Sequence, residues 1–220
     1  MFAALLFLHG IRWCGIGMTF DDGPVQKSFQ LVEYLVQENI PAMFFPSGPN
    51  LVLHKNFVQF AVERGFSFGN HTFDHAEMHT ASQKHIVWTI QRQHSLLIEQ
   101  GASTPRWFRY PSGARSRRVT KTLIDLQYEG IADWDVFSGD IFGKPPEHAF
   151  KLLLRVSSSH NSAIVLFHDC NAGVISKTKK FVSLVKQHNK DVDLVRDPRI
   201  FVFVRPETIL PGSDGNEFDY

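Results

Sequence analysis

Short apolar runs of strand length alternate with segments of helical period along this chain, and that alternation restricts the fold more than any single residue does. A first run ends at Phe20, and others occupy 42–45, 66–68, 107–110, 131–137, 164–167 and 200–204. Between them Phe29/Val32/Leu35/Val36, Phe57/Phe60/Ala61, Ile86/Ile90/His94/Leu97 and Val119/Leu123/Leu126 recur three or four apart, as one face of a helix does. Further helices are expected at 150–156 and 174–185. Pro41 stops the first helix, and Gly65 and Gly130 are expected to close two others. The run at 164–167, Ile-Val-Leu-Phe, has no polar alternation, as expected of a strand buried on both faces. About seven strands joined by crossover helices describe a parallel sheet covered on its outside. A closed α/β barrel suits the pattern better than an open doubly wound sheet, because the polar motifs collect at the C-terminal ends of strands.

At 220 residues and 43% apolar, the chain is read as one domain over 1–220, with its 20 phenylalanines mostly in the core. Lys and Arg total 23 against 22 for Asp and Glu, so no overall field draws it to nucleic acid. The apolar start at 1–8 is too short to span a membrane and lacks a basic start and a small-residue cleavage site. Residues 1–15 therefore read as an export-signal remnant or a packed N-terminal segment, and 211–220 as a loosely ordered tail. Cys14 precedes Asp21 by roughly 23 Å of strand, whereas Cys170 follows His168 at the rim expected to hold Asp21. A disulfide needs Cα atoms within about 7 Å. Two free thiols are expected.

Thr19-Phe20-Asp21-Asp22-Gly23-Pro24 puts adjacent carboxylates at the end of an apolar run, where Gly23 and Pro24 turn the chain. Two carboxylates this close raise one pKa unless a cation lies between them. His71 and His75 are spaced i, i+4, which on a helical turn stacks two imidazoles as ligands of one metal. With the carboxylate pair they make a two-histidine, one-carboxylate set with an open position, the pattern of a catalytic zinc site. His79 is expected at the surface and His94 in the core, and neither they nor His85 is expected to bind metal. Arg109 ends the fourth strand, where a permanent guanidinium can hold Asp21 through a bidentate pair. His168 ends the 164–167 run with Asp140 one strand away, an arrangement like a general acid and its orienting carboxylate.

Together with Pro41-Ala-Met-Phe-Phe45, Gly69-Asn-His-Thr-Phe-Asp-His75, Phe108-Arg-Tyr-Pro-Ser-Gly113, Trp134-Asp-Val-Phe-Ser-Gly-Asp140 and Ile164-Val-Leu-Phe-His-Asp169, the first motif resembles the polysaccharide deacetylase family with the NodB-homology domain, carbohydrate esterase family 4. The matching pieces run in the family's order from 19 to 169. The resemblance implies a distorted (β/α)7 barrel that removes N-acetyl groups from N-acetylglucosamine-type residues of peptidoglycan or a chitin-like polymer. It implies Asp22, His71 and His75 as metal ligands, for zinc by default or for cobalt or another divalent ion. Asp21 would be the base for water activated at the metal, and His168 the acid that protonates the leaving amine. Asp140 would keep His168 cationic, Arg109 would position Asp21, the Ser112 N–H would meet the oxyanion, and Leu166 would line the acetyl pocket. A glycan substrate would place the protein in the periplasm, the cell wall or the medium.

The chain departs from the family in four places. Tyr110 stands for a proline and Ser112 for an aromatic, both in a segment expected to bind substrate. Phe137 stands for an aspartate, and Ile141 for a tryptophan that forms one pocket wall. Other readings of the same site are an O-acetyl esterase, a cyclic-amide hydrolase or a non-catalytic glycan-binding protein that keeps its metal. Retention of base, three ligands and acid argues against the last. Arg106, Arg109, Arg115, Arg117 and Arg118 crowd one connection, read either as attraction for an anionic polymer or, preferably, as a solvated basic loop with Arg109 paired to Asp21.

Overall fold

In the computed structural model, which describes residues 11–192 and 197–210, strands and helices alternate in the order β1 (Arg12–Asp21), α1 (Gln26–Gln37), β2 (Ala42–Phe45), α2 (Gly48–Leu53), α3 (Phe57–Val62), β3 (Ser67–Phe68), α4 (Gln83–Glu99), β4 (Trp107–Phe108), α5 (Arg117–Asp125), β5 (Gly130–Ile131), β6 (Val136–Phe137), α6 (Pro146–Val156), β7 (Ser162–His168), α7 (Val174–Asp191) and β8 (Arg199–Phe203). Every described strand pairing is parallel. The main sheet runs β3-β2-β1-β7-β6, and β4 pairs with β5. A bridge between Asn70 and Phe108 joins the end of β3 to β4. Among the described residues no ladder links β5 to β6, so the barrel is distorted there.

The central strand, β1, shows why these runs read as continuously apolar. Ile16, Met18 and Phe20 face the helical layer with Phe44, Val165 and Phe167. Thr19 and Asp21, one residue out of phase, face the barrel interior, the side on which Met43, Phe45 and Ile164 pack. The helical side is rich in phenylalanine: Phe44 meets Phe20 at 5.4 Å, Phe57 at 5.5 Å and Phe68 at 5.8 Å between ring centroids. Such aromatic pairs contribute about 0.5–1.5 kcal/mol each beyond burial.

The expected strand at 131–137 is two short ones, because Asp135 bonds to β7 instead of extending either. Its N–H donates to the Ile164 carbonyl (3.0 Å), and its Oδ2 accepts from the Ile164 N–H (2.7 Å). That division makes eight strands among the described residues where about seven were expected; the expected final strand at 200–204 is β8, which takes the lower part of β1, Arg12 to Ile16, below the reach of β2. Gly130 opens β5 and does not close α5; the chain turns earlier, at Gln127, with φ of 61°. The short α2 has no sequence period, and Pro49 in its first turn starts it. Both cysteines are free. Of the segment 1–15, expected as an export-signal remnant or a packed N-terminal segment, residues 1–10 lie outside the described residues, as does the tail at 211–220, while Arg12 onward belongs to β1. No described helix is long and apolar enough to cross a membrane.

Candidate active site

Parallel register sets Asp21 beside Phe45 on one side and His168 on the other, at the C-terminal rim. On a continuing strand Asp22 would point away from Asp21. Instead Asp22 adopts φ of 71°, and its carbonyl accepts from Asn50 Nδ2 (2.7 Å) and Ser47 Oγ (3.1 Å) at the start of α2. The following turn is tied to β7 by Asp169. Its Oδ1 accepts from the Gly23 N–H (3.0 Å), its Oδ2 accepts from Ser28 Oγ (2.5 Å), and its own N–H donates to the Asp21 carbonyl (3.1 Å). A Cβ at residue 23 would sit 1.9 Å from Asp169 Oδ2, so only glycine fits there. Burial pushes the Asp169 carboxyl up to about 7, against the two hydrogen bonds that favour its ionised form. Motif reading passed over Asp169; its signal was a carboxylate at the end of a fully apolar strand.

His71 and His75 come together, but not on a helical turn. They lie in a loop with Thr72 at φ of 63° and His75 at φ of 52°. Side chains from outside hold it: Asn70 Oδ1 accepts from the Thr72 N–H (2.9 Å), and Thr89 Oγ1 accepts from the Phe73 N–H (2.9 Å) and donates to Asp74 Oδ1 (2.7 Å). His85 braces the same loop through Asp74 (2.8 Å). His79 is exposed beside Glu77, and His94 lies 3.0 Å from the Tyr128 hydroxyl. Of six non-glycine residues with positive φ among the described residues, four (Asp22, Thr72, His75 and Ser112) are at this rim. Backbone strain persists where surrounding structure over-determines it, as at functional sites.

Nε2 of His71 and Nε2 of His75 each lie 3.5 Å from Asp22 Oδ1, and the three ligand atoms are all within 4.8 Å of one another. His71 Nδ1 donates to the Arg109 carbonyl (2.9 Å). A carbonyl only accepts, so this nitrogen carries the proton, which leaves Nε2, the nitrogen facing Asp22, as the one available to a metal. Asp22 Oδ1 is buried and has no hydrogen-bond partner among the described residues. A buried carboxylate oxygen left without a hydrogen bond is costly unless a cation satisfies it. The donor set therefore fits a divalent ion. Burial alone would raise the Asp22 pKa, but His71, His75 and His168 outweigh it and hold it below the usual range. Burial and the nearby His71 lower that of His75, favouring the neutral imidazole that metals bind.

Arg109 is 0% exposed. Its Nη1 donates to Asp21 Oδ1 (2.7 Å) and Thr19 Oγ1 (2.8 Å), and its Nε donates to the Ala132 carbonyl (2.6 Å). The expected bidentate pair is replaced by a single contact, because Nε and Nη2 are taken by the carbonyls of Ala132 and Asp133. Strand parity sends the next side chain, Tyr110, the other way. Its ring is buried in the core under α5, with its hydroxyl 2.7 Å from Thr120 Oγ1, so it does not line a substrate pocket as expected. Ser112 lies in the turn beyond, with φ of 54°. Leu166 is buried on β7 between Thr19 and Phe137.

His168 Nδ1 donates to Asp140 Oδ1 (2.9 Å), and the His168 N–H donates to Asp140 Oδ2 (3.0 Å). Burial would lower the His168 pKa, but the Asp140 hydrogen bond and the charges of Asp21, Asp140 and Asp22 outweigh it, leaving it above the ordinary range. Burial acts upward on Asp140, and its contacts with His168 reverse that and hold it low. The basic connection is largely satisfied internally: Arg106 pairs with Glu129, Arg115 with Asp133, and Arg118 donates to the His79 carbonyl (3.1 Å). That favours the solvated-loop reading over attraction of an anionic polymer.

The model of the polysaccharide deacetylase family matches residues 15–131, more than half of the chain. Chitin deacetylase 2 of Saccharomyces cerevisiae is 27% identical over 182 residues, 81% of this chain, and the chain spans about half of that relative (52%). Among solved structures, a family 4 carbohydrate esterase from Streptomyces lividans in complex with acetate superposes with a TM-score of 0.72 at 22% identity, covering 90% of this chain and 95% of its own. A protein from Bacillus anthracis described as a pseudoenzyme of the same family superposes with a TM-score of 0.70 at 24% identity, covering 82% and 63%. At these identities the structural likeness establishes the fold alone.

Proposed function

The chain belongs to the polysaccharide deacetylase family, and from that premise we propose that it is a zinc-dependent hydrolase removing N-acetyl groups from N-acetylglucosamine residues of a peptidoglycan or chitin-like polymer. The observation that carries this reading is the set of Asp22, His71 and His75 ligand atoms within 4.8 Å of one another, beside Asp21 and the His168–Asp140 pair. A likeness in fold does not separate enzyme from pseudoenzyme; a complete set of ligands, base and acid argues for the enzyme. Such a substrate would put the protein outside the cytoplasm.

A divalent ion held by Asp22, His71 and His75 would polarise the acetamide carbonyl and acidify water. Asp21 takes the proton from the attacking water. Its other oxygen is held by Arg109, which aims the carboxylate at the ligand cluster. An amine leaves poorly unless protonated, and His168 supplies that proton, with Asp140 fixing Nδ1–H and so leaving Nε2 to act. The Ser112 N–H would donate to the developing oxyanion, and Leu166 would border the acetyl methyl.

Mass spectrometry of products tests the reading directly. Zinc-loaded protein is expected to remove acetyl groups from N-acetylglucosamine oligomers or peptidoglycan fragments, chelation to stop this, and added zinc to restore it. Undiminished turnover after chelation would overturn the metal dependence, and no turnover of any acetylated glycan with zinc bound would overturn the enzyme. Asp140→Asn gives a second check. The acid must be protonated, so activity falls as pH rises through the His168 pKa, which Asp140 helps to raise. The substitution should move this alkaline limb to lower pH. A uniform loss with no shift of the limb would remove Asp140 from that role.

A further inference from the structure

The turn after β6 exposes a phenylalanine that the chemistry described above does not use. Phe142 is 73% exposed and Ile141 45%, on the short 3-10 turn Asp140–Phe142. An unconstrained turn would fold such side chains inward. This one is fixed in place. Gly139 and Gly143 flank it with φ of 67° and 74°, and the Asp140 carbonyl accepts from the Gly143 N–H (3.2 Å), Asn171 Nδ2 (2.8 Å) and Lys177 Nζ (2.5 Å). The residue that orients His168 thus also anchors the exposed ring. From Phe142 an aromatic strip leads back to the site: Phe142 meets Phe137 edge-on at 5.9 Å, and Phe137 meets the His168 ring at 5.9 Å and 89°.

We propose that Phe142, flanked by Ile141 and backed by Phe137, is a stacking platform for a neighbouring sugar of the glycan, next to the residue being deacetylated. This rests on the proposed function. A pyranose presents a face of C–H groups ringed by hydroxyls, and the electron-rich face of a phenylalanine complements the former while leaving the latter in water. A ring held rigidly before binding loses little freedom on contact. Two exposed side chains are too little surface for a protein partner, which needs about 800 Å² per side, whereas one sugar ring suits them, and the strip is continuous with His168.

Calorimetric titration of the zinc-loaded protein with N-acetylglucosamine tetramer and with the monosaccharide, in an Asp21→Asn background so that no heat of deacetylation enters, tests the platform independently of turnover. Phe142→Ala should raise the tetramer Kd about 3–10-fold and affect the monosaccharide less. Phe142→Tyr, which keeps the ring face, should bind the tetramer as the natural protein does, whereas Phe142→Leu, which keeps only apolar bulk, should not. Ile98→Ala, an exposed apolar residue on α4, is the control that should leave Kd unchanged. Equal binding by the Leu and Tyr variants, equal loss for tetramer and monosaccharide, or no measurable binding of tetramer by the natural protein would each overturn the platform. Weakened tetramer binding by Phe142→Ala, with no glycan turned over when Asp21 is present, would uphold the platform and reject the deacetylase reading.

Discussion

Asp21→Asn in the zinc-loaded protein is expected to keep its metal and lose about 10²–10⁴-fold in kcat for deacetylation, the range contributed by a positioned general base. The two halves of that expectation come from different atoms. Asp21 is not among the three atoms that cluster as ligands, and its nearer oxygen serves Arg109 at 2.7 Å. An asparagine carbonyl can still accept from Arg109 Nη1, and Thr19, Ala132 and Asp133 continue to satisfy the buried guanidinium. Losing the counter-charge of a buried ion costs stability, up to about 3–5 kcal/mol when a partner is removed outright. The retained acceptor should keep the loss well below that. The amide nitrogen cannot take a proton from water, so chemistry fails while the site stands. Metal content and melting temperature measured beside kcat separate these effects. A near-natural rate would remove Asp21 as base, and simultaneous loss of zinc would make it a ligand.

Strand ends were legible because each apolar run stops at a polar motif, and β1 and β7 place Asp21 and His168 side by side as those stops require. The ligand spacing was legible too, but its geometry was not. His71 and His75 meet through positive φ angles at Thr72 and His75, held by hydrogen bonds that the loop N–H groups donate to Asn70 and to Thr89 on α4. No local period encodes a conformation imposed from a helix further along the chain. The same holds for α2, whose six residues lack a helical pattern and whose Asn50 holds the Asp22 carbonyl. Tyr110 was misplaced by motif alignment, whereas strand parity after the inward Arg109 would have sent it to the core. Asp169 was overlooked because it falls just after His168, which drew the reading to itself. Its partners, Gly23 and Ser28, are more than a hundred residues away in sequence.

Asp22→Asn should abolish metal-dependent stabilisation while costing the metal-free protein only modestly. Without metal, Asp22 holds a buried oxygen with no hydrogen-bond partner among the described residues, facing two imidazoles. Neutralising it removes a desolvated charge but gives up the attraction of His71, His75 and His168, which outweighs burial and holds its pKa low. The backbone adds no further cost, because asparagine tolerates the φ of 71° that alanine would meet at about 1–2 kcal/mol. Asparagine is therefore the informative substitution, since a failure by Asp22→Ala would mix lost ligation with backbone strain. With metal the cost is greater. Binding to the folded state alone adds stability of RT ln(1 + [L]/Kd), about 2.7 kcal/mol at a hundredfold excess over Kd. Loss of a partner outside the ligand shell typically weakens binding about 10–100-fold, and loss of a charged ligand should exceed that. Melting curves with and without zinc are then expected to separate for the natural protein and to coincide for Asp22→Asn, with deacetylation lost in parallel. A zinc-induced rise in Tm preserved in the variant would move the metal away from Asp22, and with it the arrangement on which Asp21 and His168 act.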